Sequence, residues 1–205
     1  MKKYPSISII TPSFNQGSFI EETILSVLSQ DYPDLEYLIM DGGSSDSTLS
    51  VLKKYSGKLA WLSETDHGQT DAINKGLRRA TGAIVGYLNG DDLLLPGALR
   101  KVAEAFIAEP QTWWVTGKCR IVDEENHEIR RAITVYKNTL LHVRSFSSLL
   151  MTNYISQPAT FWRREALESI GYLDEGLRYV MDYEYWLRLY SKSPPVFIPE
   201  YLAAF

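Results

Sequence analysis

Residues 84–92 read Ile-Val-Gly-Tyr-Leu-Asn-Gly-Asp-Asp, a short apolar run that ends abruptly in two adjacent carboxylates, Asp91 and Asp92. An apolar run of this length, bounded by turn residues, predicts a buried strand over Ile84–Leu88. Three upstream segments repeat the arrangement. Ile7–Ile10 leads to Pro12-Ser13-Phe14-Asn15, Tyr37–Met40 to Asp41-Gly42-Gly43-Ser44-Ser45-Asp46, and Leu59–Leu62 to Asp66-His67-Gly68-Gln69. Between these strands the apolar spacing turns helical: Ile20, Thr23, Ile24, Val27 and Leu28; then Thr48, Val51, Leu52 and Tyr55; then Ile73, Gly76, Leu77 and Ala80, with Gly82 closing the last. Pro96 opens a fourth helix with Leu99, Val102, Ala103, Phe106 and Ile107 facing inward. Parallel neighbours need crossover connections. Four strand–helix units over residues 7–107 therefore predict an α/β fold, a mostly parallel sheet with helices on both faces.

The remainder follows another pattern. Thr112–Val122 and Glu128–Val135 read as two strands joined through the polar turn Asp123–His127, a hairpin. Thr139–Met151 and Asp182–Ser191 read as helices, and Ala159–Trp162 as a strand. With no internal repeat and no Pro/Ser-rich linker, residues 1–205 are expected to form one domain. Its nucleotide-binding half would be 1–108 and its mixed half 109–205.

Composition narrows the class. Of 205 residues, 45% are hydrophobic and 22% charged, which excludes a disordered chain. Twenty-one Lys and Arg against 25 Asp and Glu leave a net charge of −4, which argues against a nucleic-acid binder. Cys119 stands alone, so neither an intrachain disulfide nor a cysteine metal cluster can form. No apolar run approaches the roughly 18 residues of a membrane span. Met1–Pro5 leads into a strand rather than a secretion signal, so the expected location is cytoplasmic.

In open α/β sheets, ligands bind beyond the carboxyl ends of the strands, where all four polar clusters fall. A rim bearing several carboxylates repels a bare phosphate ester, yet suits a divalent cation that a diphosphate then completes. Asp46 or Ser47 reads most economically as a helix N-cap. Asp41 directly ends a buried strand, where a carboxylate costs energy unless it serves something. A tight turn needs only one of Asp91 and Asp92; a metal accounts for both. Phe14 is open to either reading, core or site. The phosphate-binding Gly-x-x-x-x-Gly-Lys-Ser/Thr loop, the dinucleotide Gly-x-Gly-x-x-Gly and the Gly-x-Ser-x-Gly elbow are all absent, and His67, His127 and His142 show no metal-ligand spacing.

Five stretches then carry a resemblance: Ile7–Asn15 (ISIITPSFN), Leu38–Thr48 (LIMDGGSSDST), Ala72–Gly82 (AINKGLRRATG), Leu88–Asp92 (LNGDD) and Gly171–Leu189 (GYLDEGLRYVMDYEYWLRL). In this order and spacing they closely resemble the inverting family-two glycosyltransferases of the GT-A fold, of the bacterial surface-polysaccharide type. The resemblance implies a Rossmann-like sheet, a nucleotide-diphosphate sugar donor (usually UDP or GDP, here UDP) and a divalent cation, Mg or Mn. It further implies a saccharide or lipid-linked acceptor, and a site at the inner face of a membrane with peripheral association. Carried over by position, Pro12 and Phe14 flank the base and Asp41 hydrogen-bonds it. Asp91 lies near ribose and metal, Asp92 is the main metal ligand, and Asp182 is the catalytic base. Asp66 and Gln69, on the same rim, are expected to join the donor site.

Two positions depart from the family pattern. Met181-Asp182 stands where relatives often carry an acidic pair, with Glu184 a competitor for the base; Asn89 stands where many have Asp. The bland reading of Asp182 is N-cap of the final helix. Relatives typically continue beyond the apolar Tyr201–Phe205 into a mobile loop with Arg and His, so the chain is expected to be a catalytic core that transfers slowly. Two other classes stay open. A sugar-phosphate nucleotidyltransferase would need a basic, glycine-rich loop after the first strand, and residues 11–17 contain no Lys or Arg. A non-catalytic sugar-nucleotide binding protein could dispense with Asp182.

Overall fold

In the computed structural model, which describes residues 4–143 and 145–205, strand β1 (Ile7–Ser13) is buried at every position. A strand covered on both faces belongs at the middle of a sheet. β1 pairs in parallel with β2 (Leu35–Asp41) on one side and β4 (Ile84–Tyr87) on the other, and β2 pairs in parallel with β3 (Ala60–Ser63). The crossovers are α1 (Ile20–Leu28), α2 (Thr48–Lys54) and α3 (Gln69–Arg79). α3 lies tight on the sheet because Gly76 has no side chain: a Cβ there would meet Ile10 at 2.4 Å. That approach brings Gln69, the first residue of α3, to the rim.

After β4 come a short edge strand β5 (Leu93–Leu94) and α4 (Ala98–Ala108). Pro96 does not begin α4; Gly97, at φ 75°, caps it, and Ile107 is half exposed rather than core. The sheet then becomes mixed. β7 (Thr160–Arg163) runs antiparallel to β4, β6 (Trp114–Arg120) antiparallel to β7, and β8 (Val196–Ala204) parallel to β6, giving the order β3-β2-β1-β4-β7-β6-β8-β5. This is an α/β fold with helices flanking a mixed, curled sheet.

The helices of this side are α5 (Arg131–Val143), α6 (Phe146–Met151), α7 (Ala166–Ile170) and α8 (Met181–Lys192). They pack on an aromatic core in which Trp114 stacks on Trp186 at 5.8 Å and Trp162 meets Tyr185 at 5.3 Å. Trp114, Trp162 and Trp186 are fully buried, while Trp61 and Trp113 are partly buried against the core.

The expected hairpin is the main correction. Residues 121–129 do fold back, with a bridge between Val122 and Glu128, but the chain enters α5 at Arg131 instead of continuing as a strand to Val135. The β-branched run Ile133-Thr134-Val135 favours a strand locally. Thr134 and Leu141, two helical turns apart, are the buried positions that dock it as a helix, and tertiary contact overrides so weak a preference. The helix expected over Thr139–Met151 is accordingly two, parted between Val143 and Phe146.

Candidate active site

At the carboxyl ends of β1 to β4 lies a cleft of about 580 Å³, lined by Pro12, Phe14, Asp66, Gln69, Asn89 and Asp91 among others. Five residues singled out in the sequence thus share one cavity: Pro12, Phe14, Asp66, Gln69 and Asp91. Phe14 is 61% exposed. It is not core, and an aromatic face held open at a cleft edge can stack against a planar ring. Its loop is stitched to the next: Asn15, in the left-handed region at φ 53°, donates its N–H to Ser44 Oγ at 2.8 Å, and its side-chain oxygen accepts from Ser45 N–H at 2.9 Å.

Asp41 does not line this cleft. It is 2% exposed and accepts four hydrogen bonds. Oδ2 takes Gly43 N–H (3.1 Å), Ser44 N–H (2.9 Å) and Ser63 Oγ (2.6 Å), while Oδ1 takes only Ser44 Oγ (2.5 Å). The buried charge is thereby satisfied, and Oδ1 retains capacity for one further donor. Next to it, a Cβ on Gly42 would meet Asp66 Oδ2 at 2.6 Å, so a side chain there would push the Asp66 carboxylate aside. Asp46 caps α2, accepting from Thr48 N–H at 2.9 Å, while Ser47 makes no capping bond.

Asp91 and Asp92 face different surroundings. Asp91 reaches the open cleft and Asp92 is buried beneath. Burial, reinforced by the neighbouring Asp91 charge, raises the Asp92 carboxyl to about 7. Asn89 supports it: Nδ2 donates to Asp92 Oδ2 at 2.9 Å, and Oδ1 accepts from Gln69 Nε2 at 2.7 Å. The departure at Asn89 therefore removes a charge but adds a bridge between α3 and the acidic pair. Gln157 joins from the far half, with Asn89 Nδ2 at 3.4 Å from its Oε1 and its own Nε2 bonded to Tyr87 O.

A cation fits this pair. A carboxyl raised by burial and by an adjoining charge is what a divalent ion would relieve. No group of three His, Cys, Asp or Glu that could hold a metal exists among the described residues. The protein supplies an open half-site that phosphate oxygens and water would complete, the usual arrangement for Mg.

Asp182 comes from the other half. Val180, not Asp182, is the N-cap of α8; Asp182 sits in the first turn, with Tyr183 N–H donating to its Oδ1 at 2.7 Å. Burial raises its carboxyl, opposed by hydrogen bonds from Tyr183 N–H and Asn153 and by the Lys137 charge. Tyr87, at the end of β4, is pushed up by burial and, less, by the charges of Asp182 and Asp92. Neither of these two carboxylates lines the cleft itself. Glu184 is committed elsewhere. Both its oxygens are held by Arg188, from Nε and Nη2 at 2.7 Å each.

The sequence reading missed Gln157, Asn153 and Lys137. None follows a strand's carboxyl end, so no local pattern pointed to them.

The fold and this rim define a GT-A-type nucleotide-binding architecture. The description Glycosyl transferase family 2 matches residues 8–171, and the chain belongs to that family. It is 36% identical over 127 residues to the GalNAc(5)-diNAcBac-PP-undecaprenol beta-1,3-glucosyltransferase of Campylobacter jejuni, covering 60% of this chain and 40% of that one. A mannosyltransferase of Pyrobaculum calidifontis solved with GDP-Man and Mn2+ superposes with a TM-score of 0.76 at 22% identity, over 100% of this chain and 57% of that one. TarS of Staphylococcus aureus, residues 1–349 with UDP, superposes with a TM-score of 0.74 at 22% identity, over 98% and 60% respectively. At that identity the structures speak for the fold. Curated relatives matched over 97% of this chain are themselves spanned to 63% of their length.

Proposed function

We propose that this chain transfers a sugar from a nucleotide-diphosphate sugar to an acceptor hydroxyl with inversion, aided by Mg or Mn, in the synthesis of a surface polysaccharide or lipid-linked saccharide. One observation carries the reading: an exposed aromatic ring, Phe14, and the carboxylates Asp66 and Asp91 line one cleft at the strand ends, with Asp92 buried next to Asp91. The halves divide the work, residues 1–108 holding donor and 109–205 receiving acceptor, within one domain.

Phe14 and Pro12 take the base between them, and Asp41 offers Oδ1 to a ring N–H. Asp66 and Gln69 border the ribose and diphosphate. Asp92, with Asp91, would hold the cation, which when bound neutralises the diphosphate as a leaving group. Asp182 takes the acceptor's proton as its oxygen attacks the anomeric carbon from the face opposite the diphosphate. Its carboxyl, raised by burial, is a stronger base than an exposed aspartate. One displacement inverts the centre.

UDP is the first donor nucleotide to test, since TarS was solved with it, and GDP the second, after the mannosyltransferase. The lipid-linked acceptor follows the Campylobacter relative, whose name carries undecaprenol. Proton NMR of the product, read at the anomeric coupling, tests inversion. Retention of the donor's configuration would reject it.

A further inference from the structure

Of the basic residues on α5, Lys137 is the one that turns inward. It stands three residues after Thr134 and four before Leu141, the two positions that dock the helix, and is half-buried. Among the described residues its ammonium makes no hydrogen bond and no ion pair. It has a ring contact, with Nζ 5.9 Å from the centroid of Phe205. Arg163, Arg164 and Arg188 are engaged by contrast: Arg163 Nε donates to Thr112 O at 2.7 Å, Arg164 Nε to Gly82 O at 3.1 Å, and Arg188 holds Glu184. An ammonium has three donors to satisfy, and holding it half-buried without an acceptor costs energy unless its charge serves something.

What it faces is Asp182. Burial lowers Lys137, while Cys119 of β6 and Asp182 of α8 act in the opposite sense. Cys119 is itself pushed far up by burial, so near neutral pH it is an uncharged thiol and Asp182 is the anion. The groups around Asp182 come from four elements. On its own helix Tyr183 N–H donates to Oδ1 at 2.7 Å, and Glu184 is closed off by Arg188. Asn153, from the segment between α6 and β7, donates to the carboxylate, and Lys137 adds its charge from α5. Tyr87 of β4 is held up by burial and stays a neutral phenol. Asn153 Oδ1 is buried with no donor, so the amide is turned with Nδ2 toward Asp182. A protonated carboxyl would offer its O–H to that oxygen. The cluster fits the ionised form.

We propose that Lys137 is a positioning residue for the base: its unpaired ammonium, brought inward by α5, keeps Asp182 in the ionised form that taking a proton requires. It acts without an ion pair, which leaves carboxylate lone pairs for an acceptor hydroxyl. The catalytic meaning rests on the transferase reading; the coupling of the two side chains does not.

The test titrates the Asp182 carboxyl by carbon NMR in the metal-free chain, its resonance identified by its loss in Asp182→Asn. Lys137→Met, with Lys137→Gln as a second neutral variant, should raise the midpoint by about one pH unit, the low end of what a nearby opposite charge exerts. Lys137→Arg should leave it in place. The acid limb of donor turnover against pH, read with UDP-GlcNAc and GDP-Man in Mn2+, should move the same way. That is a loss of about tenfold on the limb, fading as Asp182 ionises fully. Calorimetric affinity for UDP and GDP should stay at the wild-type value. A midpoint that neither neutral variant moves overturns the proposal, as does one that Lys137→Arg moves equally, which makes the role steric. Weaker nucleotide binding in Lys137→Met with an unmoved midpoint overturns it too, and gives the ammonium to the diphosphate. A moved midpoint in a chain that binds neither nucleotide and turns over neither donor would reject the transferase reading and leave the Lys137–Asp182 coupling standing.

Discussion

The acidic pair after β4 and the carboxylate of α8 are held in opposite ways. Asp91 and Asp92 follow directly from β4, and their support comes from Asn89, two and three residues away, and through it Gln69. Asp182 stands on a helix whose placement depends on Trp186 stacking against Trp114 in β6, far away in the chain. The first site is local chemistry at the end of a strand. The second is assembled by long-range aromatic packing. The lesson is that the geometry of the strand-end pair is encoded in short segments, whereas that around Asp182 is a property of the finished core.

That contrast can be broken by mutation. The largest expected effect is on the acceptor side: Asp182→Asn should lower transfer by about 10²–10⁴-fold while leaving nucleotide affinity within error. Steady-state kinetics beside calorimetry check this. If Asp182→Asn stays active and Glu184→Gln collapses, the base lies two residues along, against the Arg188 pairing of Glu184.

Next comes packing. Trp186→Ala should destabilise the fold by about 3–5 kcal/mol, read by urea unfolding, because a fully buried ring in a stacked cluster leaves a cavity. A loss under about 1 kcal/mol would mean the two sites are not built as differently as argued.

On the donor side the signature is pH dependence. Asp92 is raised from 3.8 to about 7, so the folded state holds its proton more tightly than the unfolded chain. The stability this contributes is fully present below about pH 4 and is lost as pH rises through about 7, on the order of 4 kcal/mol at most. Metal-free melting curves should fall across that window, Asp92→Asn should flatten the fall, and added Mn2+ should restore the wild type near pH 8. A wild-type curve parallel to that of Asp92→Asn would contradict the assignment.

The smallest effect is at Phe14. Phe14→Ala should weaken nucleotide binding by roughly 1–3 kcal/mol, the worth of one stacked base, and leave the melting temperature unchanged since the ring is exposed. Destabilisation with intact affinity would return Phe14 to the core.

Legibility in the sequence followed the same divide. β1 to β4, their helices and the cluster Pro12, Phe14, Asp66, Gln69 and Asp91 could be read because each polar group sits just past an apolar run, and parallel topology then gathers the strand ends. The burial of Asp41 under four donors was not readable, since its partners Ser44 and Ser63 look like ordinary loop residues. Nor was α5. Its strand-like run Ile133-Thr134-Val135 becomes helical only because Thr134 and Leu141 find a core to dock on, and that core is built from strands on both sides of it in the chain. Gln157, Asn153 and Lys137 enter the site the same way, by packing rather than by motif.

The central claim, a nucleoside diphosphate held through a cation at the Asp91–Asp92 pair, is most directly tested by calorimetric titration of UDP, and in parallel GDP, into the chain with Mn2+. The titration is repeated in EDTA and with Asp92→Ala. One of the two nucleotides should bind with Mn2+, and its affinity should fall at least about tenfold both in EDTA and in the variant, as expected when the ion bridges carboxylate and diphosphate. Binding equally tight in EDTA, or untouched by Asp92→Ala, would contradict it.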